Sequence, residues 1–292
     1  MTASNALDTG AGAGAPARRR RRPLPGSLLV GGIVVALVVA VALLSFVWTP
    51  HDPTLVDPAV RMQEPSAEYW FGTDKFGRDV FSQIMIGSRT TLYVGLVAVG
   101  VAAVIGVPLG ILAGMGSRRL GELLMRGNDL ILAFPALLLA IMFAAVYGAG
   151  TGVAMVAIGI ASIPSFARLI RGGTLQVMST EYVLAARAAG RRPLAIAVRH
   201  VLPNVSSLVI VQASVGFALA VLAEAALSFL GFGTPPPTPS WGRMLQESQE
   251  LLGTAPRLAV FPGLAIAVAV LGFNLLGDGL RDRFDPKVEE SR

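Results

Sequence analysis

Six stretches of the chain are apolar over lengths that suit a membrane-spanning helix. The first carries no charge and, at a rise of 1.5 Å per residue, is long enough to cross a hydrocarbon layer of about 30 Å. Prolines lie within or near four of the stretches, where neighbouring helices must satisfy the carbonyls that proline leaves free. The pattern predicts an all-α membrane protein with six packed, kinked transmembrane helices at residues 28–47, 92–115, 130–147, 151–170, 205–232 and 258–276.

Composition agrees with a membrane protein and excludes several kinds of site. Of 292 residues, 53% are hydrophobic and 14% are charged, whereas soluble domains have about 25% charged residues. There is no cysteine, which excludes disulfides, thiolate nucleophiles and cysteine metal sites. The two histidines, His51 and His200, lie in different segments. We therefore predict no metal site and no cofactor bound by this chain.

The basic residues are distributed unevenly between the two sides of the predicted membrane. With the N-terminus inside, eighteen of the 24 lysines and arginines fall on inner segments, four fall on outer segments, and Arg89 and Arg257 lie at helix ends. This bias predicts that both termini are cytoplasmic. The same loops account for the net charge of +6, so we predict membrane lipid and no nucleic acid as a partner.

These observations divide the chain into five predicted parts. Residues 1–26 form a disordered, basic cytoplasmic tail. Residues 27–48 form the first transmembrane helix, and residues 49–91 form an extracytoplasmic segment with an amphipathic surface helix around residues 74–85. Residues 92–286 form a helical core that includes a cytoplasmic loop at 171–204. Residues 287–292 form a cytoplasmic tail.

The largest inner loop reads as a helical hairpin, "EYVLAARAAGRRPLAIAVRHVLPN". Ser179 or Thr180 is expected to cap a first helix that Gly190 terminates. Pro193 suits the start of a second helix at 194–201, and Pro203 marks the return to the membrane. The alanines leave a small face on the first helix. From physics alone, that helix either receives the surface of another protein or rests on anionic lipid through its arginines.

Span five carries a row of small and polar residues at successive i+4 positions, from Gln212 through Glu224 to Ser228. Glu224 would cost a few kcal/mol facing lipid, so it should face protein or water. The row either lines a channel or packs helices closely through Gly216 and Ala220, and channel lining is favoured only for Glu224. In the outer loop that follows, Trp241 is expected to anchor the chain at the membrane interface.

Several motifs resemble one family. The pair Ala185 and Ala186, then Gly190, then His200 with Leu202 and Pro203, resembles the EAA loop of ABC-importer permeases. The segments "FGTDKFGRDVFSQIMIGSRTTLYVGL", "LAFPALLLA", "EAALSFLGFGTPPPTPSWGRML" and "FPGLAIAVAVLGFNLLGDGLRDRFDP" resemble the C-type permeases of dipeptide and oligopeptide importers. The resemblance covers residues 27–286. It departs from the family pattern at Leu184, where the glutamate that names the loop is expected.

The resemblance implies a type I ABC importer permease fold, an inner-membrane location in a bacterium, and peptide transport. It implies these partners: a second permease of B type, two ABC ATPase subunits or domains that hold ATP and Mg²⁺, and an extracytoplasmic substrate-binding protein. The chain has no Walker A sequence, so we expect it not to be an enzyme. The resemblance implies ATPase coupling for Glu181, Ala185, Ala186, Arg187, Gly190, Leu202 and Pro203. The i+4 row of span five makes Gln212, Glu224 and Ser228 candidate pathway residues.

Two other classes of function stay open from the residues. A proton-coupled secondary transporter would be a similar bundle, with Glu224 as its proton site, but it would not need the hairpin. An intramembrane enzyme would need a catalytic pair, for which Asp129 and Asp278 near the ends of spans are the weak candidates.

Overall fold

The computed structural model describes residues 25–284, and all regular secondary structure in that range is helical. Most of the predicted N-terminal tail and the predicted C-terminal tail lie outside the described residues. The α-helices are α1 Gly26–Leu44, α2 Val80–Met115, α3 Arg118–Leu132, α4 Ala136–Tyr147, α5 Thr151–Met178, α6 Glu181–Ala188, α7 Pro193–Ile196, α8 Leu202–Phe229, α9 Trp241–Ser248 and α10 Arg257–Phe284. Short 3₁₀ turns occur at Pro58–Val60 and Gln249–Leu251, and a π-helical turn occupies Ala197–Val201.

Five of the helical segments are long and apolar enough to cross a membrane, and a sixth is counted if α3 and α4 form one span. The two helices meet at a bend of 77°, so the apolar stretch predicted at 130–147 is kinked and does not form one continuous helix. Pro135 explains the break, because it lacks an amide hydrogen and disfavours helical geometry at the preceding residue. α4 has 12 residues, or about 18 Å of helix, so it is too short to cross the membrane alone.

The centre of the bundle is a close contact between α2 and α5. Gly106, Gly110 and Gly114 lie four residues apart on α2 and face α5. A Cβ atom at Gly106 would lie 2.7 Å from the Cβ of Phe166, and one at Gly110 would lie 2.7 Å from the carbonyl oxygen of Ala167. Only glycine allows the two backbones to approach this closely, as is typical of small-residue packing between membrane helices. Phe166 and Ile170 fill the space between these contacts and are fully buried.

The first span, α1, packs against the last, α10, through another set of glycines. Gly31 of α1 lies against the backbone of Leu276, and Gly279 of α10 lies against the backbone of Leu28. A Cβ atom at Gly272 would come within 2.6 Å of a methyl carbon of Val34. Most of the remaining surface of α1 is exposed in the single chain. The position of α1 therefore depends mainly on its contact with α10, with a smaller contact to α2.

The segment before α2 does not form the separate amphipathic surface helix that was predicted around residues 74–85. Residues 74–79 form a turn, and α2 begins at Val80 because the Asp79 carboxylate accepts a hydrogen bond from the Ser82 amide at 3.0 Å. Val80, Ser82 and Gln83 are buried. The polar positions that suggested a solvent-facing side are internal hydrogen-bonding groups, since Gln83 Nε2 donates to Asp74 Oδ2 at 3.0 Å.

The contact of α1 with α10 is tested by paired glycine substitutions. An added methyl group at Gly31 overlaps the backbone of Leu276, whereas one at Gly32 has nothing within 4 Å. Both Gly31→Ala and Gly32→Ala gain helix propensity of about 1 kcal/mol, but only the first adds an overpacking cost of about 1–3 kcal/mol. We expect Gly31→Ala to melt at a lower temperature than Gly32→Ala in detergent, followed by tryptophan fluorescence. Equal midpoints would contradict the contact.

Candidate functional site

The hairpin after α5 presents α6 with a well-defined start and end. Gly190 has φ of +74°, a conformation that favours glycine. Its amide donates to the Arg187 carbonyl at 2.9 Å and the Arg191 amide donates to the Ala186 carbonyl at 3.1 Å, a Schellman arrangement that ends the helix. The predicted stop at Gly190 is confirmed.

The predicted N-terminal cap of α6 is wrong. Thr180 occupies the capping position, but its hydroxyl donates to the Val177 carbonyl at 2.6 Å, and the Ser179 hydroxyl donates to the Gln176 carbonyl at 2.8 Å. Both hydroxyls therefore satisfy carbonyls at the end of α5, which competes with capping the helix that follows. Only two residues separate α5 from α6, and these bonds tie the connection to the end of α5.

One side of α6 packs against the helix bundle. Val183 is fully buried in a cluster with Met178 at the end of α5, Ile196 of α7 and Val201 of the π-helical turn. The ring of Tyr182 also contacts the ring of His200, with centroids 5.8 Å apart. α6 is therefore packed against the end of α5 and against the π-helical turn that leads into α8.

The other side of α6 is exposed, and two of its four residues are alanines. Glu181, Leu184, Ala185 and Ala188 share this side, which we call the α6 face. Ala186 is half-buried and lies toward the bundle, whereas Arg187 and Gly190 are exposed beside the face. Leu184, at the position where the family pattern has glutamate, is 50% exposed. Glu181 lies one turn before it on the same face and is the only carboxylate there.

The predicted second helix of the hairpin is not a separate helix below the membrane. α7, the π-helical turn and α8 form one continuous helical segment from Pro193 to Phe229. The amide of Leu202 bonds to the carbonyl of Ala197, five residues earlier, and this wider turn immediately precedes Pro203. A π turn accommodates the proline without ending the helix. Leu202 and Pro203 are exposed at this turn and are not part of the α6 face.

The predicted pathway residues of α8 do not lie in one environment. Glu224 is 1% exposed and Ser228 is also buried. Glu224 Oε1 accepts hydrogen bonds from Ser228 Oγ at 2.7 Å and from Thr234 Oγ1 at 3.4 Å, while Ser228 Oγ accepts from the Thr234 amide at 2.9 Å. These bonds hold the loop after α8 against the helix. In the single chain, Glu224 and Ser228 thus face the interior of the protein.

Gln212, in contrast, is partly exposed and lines a cavity of about 430 Å³ between α5, α8 and α10. Gly216 and Ala220 are buried between Gln212 and Glu224, with Gly216 against Phe166. For these two small residues the structure supports helix packing. The i+4 row drifts around the helix, so its two ends meet different surroundings.

Trp241 is not an interface anchor. It is 3% exposed, its Nε1 donates to the Ile84 carbonyl at 3.0 Å, and its ring occupies the space left by Gly87. Because Gly87 of α2 has no side chain, the aromatic ring at the start of α9 fits directly against α2. Trp241 therefore locks α9 onto α2.

Sequence reasoning missed an ionic network beside Trp241. Arg78 pairs with Asp74 at 2.6 Å and also with Glu247 of α9, to which Arg243 binds at 2.8 Å. Arg78 and Glu247 are 169 residues apart, and no local pattern connects them. The network joins the segment before α2 to α9. Among residues 25–284, no group of three or more side chains suited to a metal ion was found.

The fold and the exposed hairpin define a helical membrane permease, and comparisons with known proteins agree. Residues 106–290 match the family "Binding-protein-dependent transport system inner membrane component". The chain is 42% identical over 261 residues to the dipeptide transport system permease protein DppC of Alkalihalophilus pseudofirmus, covering 89% of this chain and 86% of that one. It is 42% identical over 259 residues to the glutathione transport system permease protein GsiD of Pectobacterium atrosepticum, covering 88% and 86%.

A solved structure of the MetNI methionine ABC transporter in an inward-facing conformation has the same fold. Its TM-score is 0.59 at 18% identity, covering 70% of this chain and 96% of that one. The chain belongs to the family of binding-protein-dependent transport system inner membrane components. It is a membrane permease subunit of the ABC importer type, and not an ATPase. The predicted type I permease fold and inner-membrane location are confirmed.

Two variants of Glu224 test its role in holding the outer loop. In Glu224→Ala the buried hydroxyls of Ser228 and Thr234 lose their acceptor, a cost of about 1–3 kcal/mol. Glu224→Gln keeps an oxygen in the same place. We expect Glu224→Ala, but not Glu224→Gln, to speed proteinase K cleavage of residues 230–240 and to lower the melting temperature. Identical cleavage of the two variants would contradict the anchoring role.

Proposed function

We propose that this chain is one of two different permeases in an ATP-driven importer of short peptides. Family membership and the names of its relatives, which include a dipeptide and a glutathione permease, support this class of substrate. The observation that carries the proposal is the exposed α6 face on a helix whose other side is buried in the bundle. A proton-coupled transporter would have no use for such a face.

The energy for uptake comes from separate subunits. The sequence contains no G-x-x-x-x-G-K-[ST] motif, and its only lysines are Lys75 and Lys287. Two ATPase subunits or domains therefore hold ATP and Mg²⁺. The second permease, of B type, completes the pathway, and an extracytoplasmic protein delivers the peptide.

The distribution of basic residues supports an orientation with α6 in the cytoplasm and α9 outside. Eighteen lysines and arginines belong to the segments on the α6 side, against four on the other side. In this orientation α6 meets the ATPases. The segment before α2, which Arg78 ties to α9, then faces the extracytoplasmic binding protein.

Coupling between the ATPase subunits and the membrane helices follows from the packing of α6 against the bundle. When the ATPase subunits close around nucleotide, the α6 face moves with the cleft that holds it. Because Val183 is packed against α5, α7 and the π-helical turn, the membrane helices move together with α6. This is a rigid-body transition of packed elements, which changes the side to which the pathway opens.

Leu184 defines how this chain meets its ATPase. An exposed leucine beside Ala185 and Ala188 favours an apolar, close-fitting cleft over a salt bridge at that position. Glu181, one turn earlier, is the carboxylate available to a basic residue of the ATPase. We propose that the ionic contact of the family loop has moved to Glu181.

A bulky substitution on the α6 face tests the docking. Ala185→Trp adds a large ring to the exposed side of α6, whereas Leu194→Trp places the same ring on α7, where Leu194 is 75% exposed. With the full complex in proteoliposomes, we expect Ala185→Trp to reduce ATP-dependent uptake of dialanine by more than about tenfold, equivalent to about 1.4 kcal/mol of coupling. Leu194→Trp should retain uptake.

Co-purification in mild detergent separates docking from a lipid contact. The ATPase should be lost from Ala185→Trp while the second permease stays bound. If the ATPase stays bound and uptake is normal in Ala185→Trp, α6 is an interfacial helix and the docking proposal fails. Absence of ATP-dependent uptake by the unmodified complex would contradict the proposed function itself.

A further inference from the structure

The C-terminal end of α1 leads into an exposed apolar patch. Phe46, Val47 and Trp48 follow the helix directly, and all three are exposed in the single chain, Val47 by 89%. Trp70 is also exposed and lies against Trp48, with ring centroids 6.4 Å apart. We call these four residues the Trp48 patch. Apolar side chains gathered in this way mark a surface that another molecule covers.

One basic side chain of α2 reaches this patch. Arg89 Nε donates a hydrogen bond to the Ser45 hydroxyl, and the guanidinium carbon lies over the Phe46 ring, 4.0 Å from its centroid. Among residues 25–284, the two terminal nitrogens of Arg89 have no hydrogen-bond partner, and neither is enclosed in the interior. A guanidinium held by its Nε and by one ring face presents its remaining N–H groups to a ligand, in a geometry that suits a phosphate.

Arg89 lies at the depth where the hydrocarbon layer ends. Beyond it, residues 92–115 of α2 carry no charge and extend over about 36 Å, which is enough to cross a hydrocarbon layer of about 30 Å. The apolar helix α1 ends at Leu44, next to the serine that Arg89 binds. Two independent helices therefore place Arg89 at one boundary of the hydrocarbon layer. This is the depth of the lipid headgroups and of the aromatic belts of membrane proteins.

The composition of α1 favours lipid over a second protein as the molecule that covers the patch. Ile33, Leu37 and Leu44 form an exposed stripe along α1 that continues into the Trp48 patch. Where α1 meets another helix, it does so through small residues, as at Gly31 against the backbone of α10. The exposed stripe consists of large branched side chains instead, which suit contact with acyl chains. The patch is thus the headgroup end of a lipid-facing surface.

We propose that Arg89, together with the Trp48 patch, binds the phosphate of a phospholipid in the leaflet at the α9 end of the bundle. The terminal N–H groups of Arg89 donate to the phosphate oxygens, while Phe46 holds the plane of the guanidinium. Trp48 places its ring at the glycerol level and offers its indole N–H to the headgroup. Because Arg89 also binds Ser45, the bound lipid joins the end of α1 to α2. In the proposed orientation this is the outer leaflet.

Photo-crosslinking identifies the molecule that covers the patch. The photoreactive residue p-benzoylphenylalanine replaces Trp48 or, as the matched control, Phe76, and each chain is assembled with its partner subunits. Phe76 is also an exposed aromatic residue outside the spans, but its ring lies between the charged groups of Lys75 and Arg78. After irradiation in vesicles, the mass of the purified chain reports the adduct. We expect lipid adducts at least about fivefold more often at position 48 than at position 76.

A competition between two lipids then tests the role of Arg89. The vesicles contain equal amounts of phosphatidylglycerol and of glucosyldiacylglycerol, a neutral lipid without phosphate. At position 48 we expect about tenfold more phospholipid than glycolipid adduct, and a ratio near one in Arg89→Gln, because a charge-assisted hydrogen bond is lost. Arg89→Lys should retain part of the preference. Arg257→Gln is the control and should retain all of it, since a terminal nitrogen of Arg257 already donates to the carbonyls of Met62 and Gln63.

Three results would overturn the inference. Adducts at position 48 with the second permease or another protein would make the patch a protein interface. Equal adducts with the two lipids in the unmodified Arg89 chain would exclude a phosphate site. An unchanged ratio in Arg89→Gln would show that the guanidinium is not the ligand, and a loosened α1 alone would lower both adducts without changing their ratio. None of these outcomes depends on the transported substrate.

Discussion

The structure depends on the close approach of two helix backbones. Gly106, Gly110 and Gly114 allow α2 to lie directly against α5. In a membrane there is little hydrophobic drive to bring helices together, so association relies on close van der Waals contact. The contact fixes Phe166 and Ile170 at the centre, and α8 then packs against the same cluster through Val205. α6 is attached to this assembly by Val183 and shares its rigidity.

Polar groups have two distinct uses in this bundle. At the α9 end they are paired and at least partly buried, as in Arg78 with Asp74 and Glu247, or Glu224 with Ser228. Such bonds hold loops against helices, since an unpaired polar group there would be costly. At the α6 end, side chains such as Gln212 and Arg168 line open cavities. The first set maintains the shape of the subunit and the second remains free to meet water or another molecule.

Local signals predicted the helices and the end of α6, whereas several of the errors arose from partners distant in sequence. Apolar runs identify spans because burial in lipid needs a long uncharged stretch, and Gly190 was identified because a left-handed turn favours glycine. The segment around residues 74–85 and Trp241 were misassigned because their partners, such as Glu247 for Arg78 and Ile84 for Trp241, come from packing that hydropathy does not encode. Asp129 was noted only as a span-end carboxylate, since nothing local indicates its ion-pair partner Arg168, 39 residues away.

The continuous helical segment from Pro193 to Phe229 acts as a lever. It has 37 residues, which at 1.5 Å per residue is about 55 Å. If the segment is rigid, a tilt of about 5° at one end displaces the other by about 5 Å, close to one helical turn. A small change in the tilt of this segment at the hairpin therefore produces a larger displacement at the opposite end of the subunit. The π-helical turn before Pro203 interrupts the regular hydrogen bonding of this lever close to its hairpin end.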